Sequence, residues 1–314
     1  MLTRVGGWLV AVVAATCLTG CTDEQAAAPT HPEPTDTAAT PSSEAAPREE
    51  PEQAHEPAVR RPRTAKQALA TLVASERAIA DPATRPRALV RAARAQQLAY
   101  RALGAHPAWD ATVRAGLPRS LRGVVGDNVA SRREFRAMHS VLSDELPAWR
   151  IVAPARADEL LRLYRRAERA HGIGWEYLAA INLVETAMGR IRGTSVAGAQ
   201  GPMQFLPRTW ERWGRGDIED PADSIMAAAR YLAHDGGARG RLPQALFRYN
   251  NSDHYVRGVT LLAQVMERRP RAFYGYYHWD VYYLTTRGDV RLPVGYDRAR
   301  PVPVERWLAT HPQR

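Results

Sequence analysis

Cysteine is nearly absent from this 314-residue chain: there are two, Cys17 and Cys21, both near the start. Their scarcity excludes a disulfide framework and a thiolate metal site from everything downstream. The nine histidines are scattered, with no His-Glu-x-x-His or other ligand spacing, so no metal is expected. A glycine-rich phosphate loop is also missing, and no cofactor is expected. Lysine is confined to Lys66, so arginine carries nearly all the positive charge. Residues 1–58 hold nine acids and two bases, which leaves 41 bases against 24 acids, a net +17, for residues 59–314. Such a body suits a polyanionic neighbour such as nucleic acid, anionic headgroups or an anionic wall. A compositional bias toward arginine explains the charge equally well, so charge alone chooses no partner. What is present in quantity is apolar surface, 45% of residues, enough for one large core or two ordinary ones.

The first 21 residues set the compartment. Arg4 precedes an apolar stretch, Val5 to Ala15, that is too short to span a bilayer. It leads into Leu18-Thr19-Gly20-Cys21, which resembles the lipobox of bacterial lipoproteins. The resemblance implies a signal peptide over residues 1–20, lipidation of Cys21, and an exported protein anchored to the membrane of the cell envelope, facing the wall. A diacylated cysteine anchors stably where one chain would be marginal. An ordinary secretory signal cleaved nearby is the alternative, and either way the chain is exported, so nucleic acid is not an expected partner. Residues 21–63 are rich in Pro, Ala, Thr and Glu and nearly devoid of large apolar side chains, which reads as a disordered tether. Extended at ~3.1 Å per residue, it could reach on the order of 100 Å from a membrane.

Helical periodicity begins after the tether. Residues 64–150 read as a helical support region, with helices over Ala65 to Ala80, Arg87 to Leu103 and Val129 to Leu146. Asp127-Asn128 reads as a helix cap. Residues 151–270 form a second region. Its helices are expected over Ala155–Ala170, from Trp175 onward, from Pro207, from Pro221 with Asp220 as N-cap, over Pro243–Tyr249 and over Asp253–Arg268. Residues 271–314 are aromatic (Tyr276, Tyr277, Trp279, Tyr282, Tyr283) and read as a small hairpin or extended cover.

One residue breaks the pattern. On a helix from Trp175, Leu178, Ile181, Glu185 and Met188 fall on one face, so a carboxylate occupies a core position. Burial of an ionised carboxylate is costly unless it is paired, and the usual relief is a raised pKa. A carboxyl protonated near neutrality is what a general acid needs. The competing account is a structural glutamate paired with Arg190 or Arg192. Shortly after comes Gly198-Ala-Gln-Gly-Pro-Met-Gln-Phe205, whose glycines and proline suit a tight loop that can approach a ligand closely.

Four ordered stretches carry a family resemblance: Ile181-Asn-Leu-Val-Glu185, Gly198 to Pro207, Asp220-Pro-Ala-Asp through Tyr231-Leu, and Arg248-Tyr249-Asn250. Together, over roughly residues 155–270, they resemble the lytic transglycosylases of the soluble-lytic-transglycosylase type. The resemblance implies a mainly α protein: a goose-lysozyme-like catalytic domain with an N-terminal helical extension and the C-terminal cover. It implies cleavage of the MurNAc-GlcNAc β-1,4 bond of peptidoglycan with formation of 1,6-anhydromuramoyl ends. Carried over residue by residue, Glu185 is the catalytic acid and then base. Thr186, Met203, Gln204, Phe205, Tyr231, Tyr249 and Asn250 are substrate-binding, with Tyr249 near the carboxyl. Pro202 stands where leucine is commoner, and Arg248 where alanine is usual, which bears on groove charge.

Two other functions fit less of the chain. A lysozyme-type muramidase would hydrolyse the same bond with water, using Asp217 or Glu219 as helper. A non-catalytic peptidoglycan-binding lipoprotein would need no acid on a core face. In the transglycosylase route one carboxyl suffices, because the sugar's own C6 hydroxyl is the nucleophile.

Overall fold

The computed structural model describes residues 59–195 and 197–313. The expected signal, the lipidation site Cys21 and most of the tether lie outside these residues. Among the described residues no helix is long and apolar enough to cross a membrane.

Four helices come first: α1 (Ala65–Ala80), α2 (Pro86–Ala105), α3 (Asp110–Gly116) and α4 (Arg119–Ala137). The Thr64 hydroxyl caps α1 by accepting from the Gln67 N–H, and Pro86 opens α2 where a missing N–H costs nothing. Leu72, Tyr100, Leu103, Leu121, Val125 and Val129 meet between them in an apolar cluster. Each such aliphatic side chain, fully buried, contributes roughly 1.5–3 kcal/mol. The helix expected over 129–146 is displaced: α4 starts ten residues earlier and ends at Ala137. Asp127 and Asn128 therefore lie inside it and cap nothing. Asp127 instead pairs with Arg268, and buried Asn128 accepts from the Tyr276 hydroxyl at 2.7 Å. Beyond Ala137, Ser143 bends the chain by accepting from the Glu145 N–H at 3.0 Å. Leu146 is then buried on a short strand, β1 (Glu145–Leu146), which is followed by β2 (Arg150–Ile151).

The remaining helices are α5 (Ala157–His171), α6 (Trp175–Thr186), α7 (Pro207–Trp213), α8 (Pro221–His234), α9 (Leu242–Asn250), α10 (Asp253–Arg268) and α11 (Ala272–Tyr277). A short strand, β3 (Ile191–Arg192), follows α6 and pairs antiparallel with β2. The boundaries of α5 to α10 fall within a residue or two of those expected from the sequence. Asp220 caps α8 by accepting from the Ala222 and Asp223 N–H groups at 2.8 and 3.0 Å, a motif worth about 1 kcal/mol. Helix α6 is the axis, packed by α5, α8, α10 and α11. It is buried around most of its circumference, since Ala179, Ala180 and Asn182 are as enclosed as Leu178 and Ile181. The expectation of a single apolar face is too narrow, and Met188 lies beyond the end of the helix.

The C-terminal part also departs from expectation at its start. Phe273 and Tyr276 belong to α11, where both are fully buried, rather than to an extended cover. The hairpin follows as β4 (Val281–Thr285) and β5 (Gly288–Leu292), in register from Val281↔Leu292 to Thr285↔Gly288. Strand β6 (Val302–Pro303) pairs with β1, and α12 (Val304–Thr310) closes the fold. Polar contacts lock the first helices to this end. Arg101 forks onto Asp289 at 2.6 and 3.0 Å, and Trp279 donates to Gln96 at 3.0 Å. The buried carboxylate of Glu76 accepts from Gln96 at 2.8 Å and from the Tyr100 hydroxyl.

Candidate active site

Glu185 sits in the last turn of α6. The chain then turns through two non-glycine residues in the left-handed region, Ala187 at φ 51° and Met188 at φ 66°. Such residues cost roughly 1–3 kcal/mol each and persist only where surroundings hold them. Here the Ala187 N–H donates to the Leu183 carbonyl and the Met188 N–H to the Asn182 carbonyl, both at 3.0 Å. The Tyr164 hydroxyl donates to Asn182 Oδ1 at 2.6 Å, fixing the amide so that its Nδ2 donates to the Pro202 carbonyl at 2.8 Å. Thr186 donates to the same carbonyl at 2.6 Å and accepts from the Gly189 N–H at 3.1 Å. The end of α6 is thus clamped onto the Gly198–Phe205 loop through Pro202. Pro202, the residue that departs from the family pattern, contributes its carbonyl and needs no N–H to do so.

The loop is closed on itself. Gln200 and Phe205 exchange backbone bonds at 2.9 and 2.8 Å. Gln204, at φ 50°, folds its side chain back so that Nε2 donates to the Gly201 carbonyl at 3.1 Å. Tyr249 of α9 donates its hydroxyl to the Met203 carbonyl at 2.6 Å. Tyr249 is the residue expected beside the carboxyl, yet the hydroxyl that reaches Glu185 belongs to Tyr255 of α10, at 2.7 Å from Oε1. The rings of Tyr249 and Tyr255 stack at 6.4 Å, so the first tyrosine fixes the second.

Glu185, Gln204 and Asn250 line one cleft of about 280 Å³, together with Tyr255, and Phe135 and Trp149 from outside the 151–270 region. Thr186, Met203 and Phe205 are buried behind it: Thr186 and Met203 are fully enclosed and Phe205 packs edge-on to Tyr249 and Trp210. Tyr231 stands in an aromatic row between Trp213 and Tyr249, at 5.8 and 5.7 Å, with its hydroxyl on the Arg248 carbonyl. Thr186, Met203, Phe205 and Tyr231 do not themselves line the cleft. Arg248 itself is exposed and does not line the cleft. The side-chain oxygen of Asn250 is buried without a protein hydrogen-bond partner among the described residues. A cleft-lining acceptor of this kind is suited to an incoming N–H or O–H donor.

The electrostatics follow from this packing. Burial pushes the Glu185 carboxyl up to about 7, and the Tyr255 hydrogen bond offsets only part of that rise. Among the described residues no cation relieves it: Arg190 donates to the Ala187 and Tyr277 carbonyls, and Arg192 pairs with Glu219 at 3.0 Å. The account of a paired structural glutamate is thereby removed. Burial first, and then the nearby Glu185 charge, hold the Tyr249 and Tyr255 hydroxyls well above their ordinary range, so both stay donors. Of the helper acids considered, Glu219 is occupied by Arg192 and by the Gly201 N–H at 3.1 Å. Asp217 accepts from the Glu219 N–H at 2.8 Å. Among the described residues the only other carboxylate lining the cleft is Asp280, which faces Arg94 and Arg291 at 3.4 and 3.0 Å.

Tyr255 and the wall from α4 are what sequence reasoning missed. The sequence does hold one hint, since Ser252 caps α10 by accepting from the Tyr255 N–H, which fixes where that helix starts. Nothing local indicates that its first turn faces Glu185, seventy positions away.

Comparison with known proteins bears on the same stretch of chain. Residues 162–265, about a third of the chain, match the family model of the transglycosylase SLT domain. A membrane-bound lytic murein transglycosylase F of Thiobacillus denitrificans is 36% identical over 80 residues, covering 26% of this chain and 17% of that protein. Its namesake in Nitrosospira multiformis is 28% identical over 148 residues, covering 44% and 29%. The chain therefore spans less than a third of the length of these relatives. No solved structure matches.

Proposed function

We propose that the chain is a lytic transglycosylase of peptidoglycan, held at a membrane in the cell envelope through a lipidated Cys21. The observation that carries the reading is the Glu185 carboxyl, kept protonated near neutrality by burial, with a tyrosine hydroxyl at 2.7 Å and, among the described residues, no cation paired to it. A group poised near the working pH can give a proton and then accept one. Glu185 protonates the bridging glycosidic oxygen as the C1–O bond breaks. The muramic acid C6 hydroxyl closes on C1, and the Glu185 carboxylate takes the hydroxyl's proton as the 1,6-anhydro ring forms. Intramolecular attack supplies the effective molarity that a second carboxylate and a bound water would otherwise have to provide. In this reading Tyr255 stabilises the carboxylate between the two transfers, and the cleft-lining Asn250 and Gln204 bind polar groups of the glycan.

The name "membrane-bound" borne by both relatives supports placement at an envelope membrane. Fractionation of cells carrying Cys21→Ser checks the anchor, because release to the soluble fraction is expected. The reaction itself is tested by mass spectrometry of digested peptidoglycan. Anhydromuramoyl ends are expected, and reducing ends in their place would make the enzyme a hydrolase.

Replacing Tyr255 by Phe removes the donor that partly counteracts burial, so the Glu185 pKa moves further up. The high-pH limb of the rate profile should shift upward with it. The rate should fall by about 10–100-fold, because the carboxylate formed mid-reaction loses its stabilising bond. Titration of kcat against pH reads both effects, and an unmoved limb would detach Tyr255 from the chemistry.

A further inference from the structure

The wall of the cleft contributed by α2, α4 and the hairpin lies outside the family-matched segment, and it is strongly cationic. The Asp289 carboxylate, 9% exposed, receives three guanidinium groups: Arg101 at 2.6 and 3.0 Å, Arg132 at 3.1 Å and Arg61 at 3.6 Å. Arg136, one turn along α4 from Arg132, forms no ion pair among the described residues, and its guanidinium reaches only the His139 carbonyl at 3.4 Å. Three guanidinium groups thus share one carboxylate while Arg136 has none, and Arg101, Arg132 and Arg136 all line the cleft that holds Glu185. Asp280 offers no relief, being taken by Arg94 and Arg291. Burial and the neighbouring arginines bring Arg132 down to about 9 and push His139 below its ordinary value.

Fastening α2 and α4 to the hairpin explains Arg101 and Arg132, since both reach Asp289. It does not explain Arg136 or the uncompensated excess. Like charges gathered in a partly desolvated cleft are unfavourable in the empty protein and favourable toward an incoming anion. Arginine also suits a carboxylate, because its planar fork can bind both oxygens.

We propose that the Arg132–Arg136 end of the cleft is a carboxylate subsite that receives the acidic peptide branch carried by the glycan. This rests on the reading of the chain as acting on peptidoglycan, and it gives residues 64–150 a part in substrate selection.

The test is calorimetric binding to a Glu185→Gln protein, in which turnover is expected to be lost. One ligand is a soluble disaccharide bearing a peptide with free carboxylates, and the other is the same molecule with those carboxylates amidated. At low salt the acid form should bind about tenfold tighter, a typical effect of one partly desolvated charge pair. Adding Arg136→Gln should erase the difference, and Arg136→Lys should restore part of it. Arg136 is exposed and in the last turn of its helix, so these substitutions leave the core untouched. Equal affinity for the two ligands, binding of neither, or a difference that persists in Arg136→Gln would overturn the proposal. Turnover by the unmodified enzyme is scored separately from its products. Failure of the catalytic reading is therefore distinguishable from failure of the subsite.

Discussion

Glu185→Gln should reduce release of anhydromuropeptides by about 10⁴-fold, the upper end of what a positioned acid–base group contributes, because here one residue serves both transfers. The amide keeps the volume of the carboxyl and can still accept from the Tyr255 hydroxyl, which stands 2.7 Å away in the unmodified protein. The clamp below it is also untouched, since Asn182, Thr186 and Pro202 bind one another without Glu185. Glycan affinity should therefore stay within about threefold of the original, placing the loss in kcat rather than in binding. Sedimentation with purified sacculi measures the affinity, and mass spectrometry of the supernatant measures the release. Retained release in the variant would remove Glu185 from the chemistry.

The same variant should gain stability where it loses activity. The folded-state pKa of Glu185 is raised from 4.5 to about 7, so the native state favours the protonated form. Its contribution to stability is intact below the unfolded value and is lost as pH rises through the folded one. The loss levels off at no more than about 3 kcal/mol above that range. Glutamine has no such titration. Urea midpoints of the two proteins should coincide near pH 4 and separate near pH 8 in favour of the variant. A gap of the opposite sign would contradict the burial of Glu185 in the folded protein.

Legibility followed locality. The boundaries of α8 and α10 can be read from the sequence because capping is written within three or four residues, as Asp220-Pro221 and Ser252 show. Glu185 could be singled out because a carboxylate interrupts an apolar helix. Its partner could not, because Tyr249 and Tyr255 are both aromatic neighbours of the site. Only the packing of α10 against α6 decides that Tyr255 reaches the carboxyl while Tyr249 turns to the Met203 carbonyl. The bonding of Thr186 was hidden for a similar reason, since its hydroxyl donates to the Pro202 carbonyl, 2.6 Å away and 16 positions on. The role of α4 was least accessible. Its cleft-lining Arg132 is held by Asp289, which lies 157 positions away.

Gly201→Ala should be the most damaging single-methyl change in the site. Gly201 sits at φ +74°, and a Cβ built there would lie 2.0 Å from the Ile218 carbonyl oxygen and 3.0 Å from its carbon. Left-handed geometry alone costs an alanine about 1–2 kcal/mol. The clash adds about 1–3 kcal/mol more, because a backbone carbonyl cannot swing aside as a side chain can. The expected destabilisation is therefore about 2–5 kcal/mol. Activity should suffer as well, since the Gly201 carbonyl accepts from both the backbone and the side chain of Gln204, and its N–H holds Glu219 at 3.1 Å. Gly198 provides the control within the same loop. It also has positive φ, +84°, but a Cβ there meets nothing within 4 Å, so Gly198→Ala should cost only the conformational part, about 1–2 kcal/mol. Chemical denaturation of the pair separates strain from collision. If the two alanines proved equally mild, the close approach of Ile218 to the loop would be refuted, and with it the account of how the Gln204 side chain is held in the cleft.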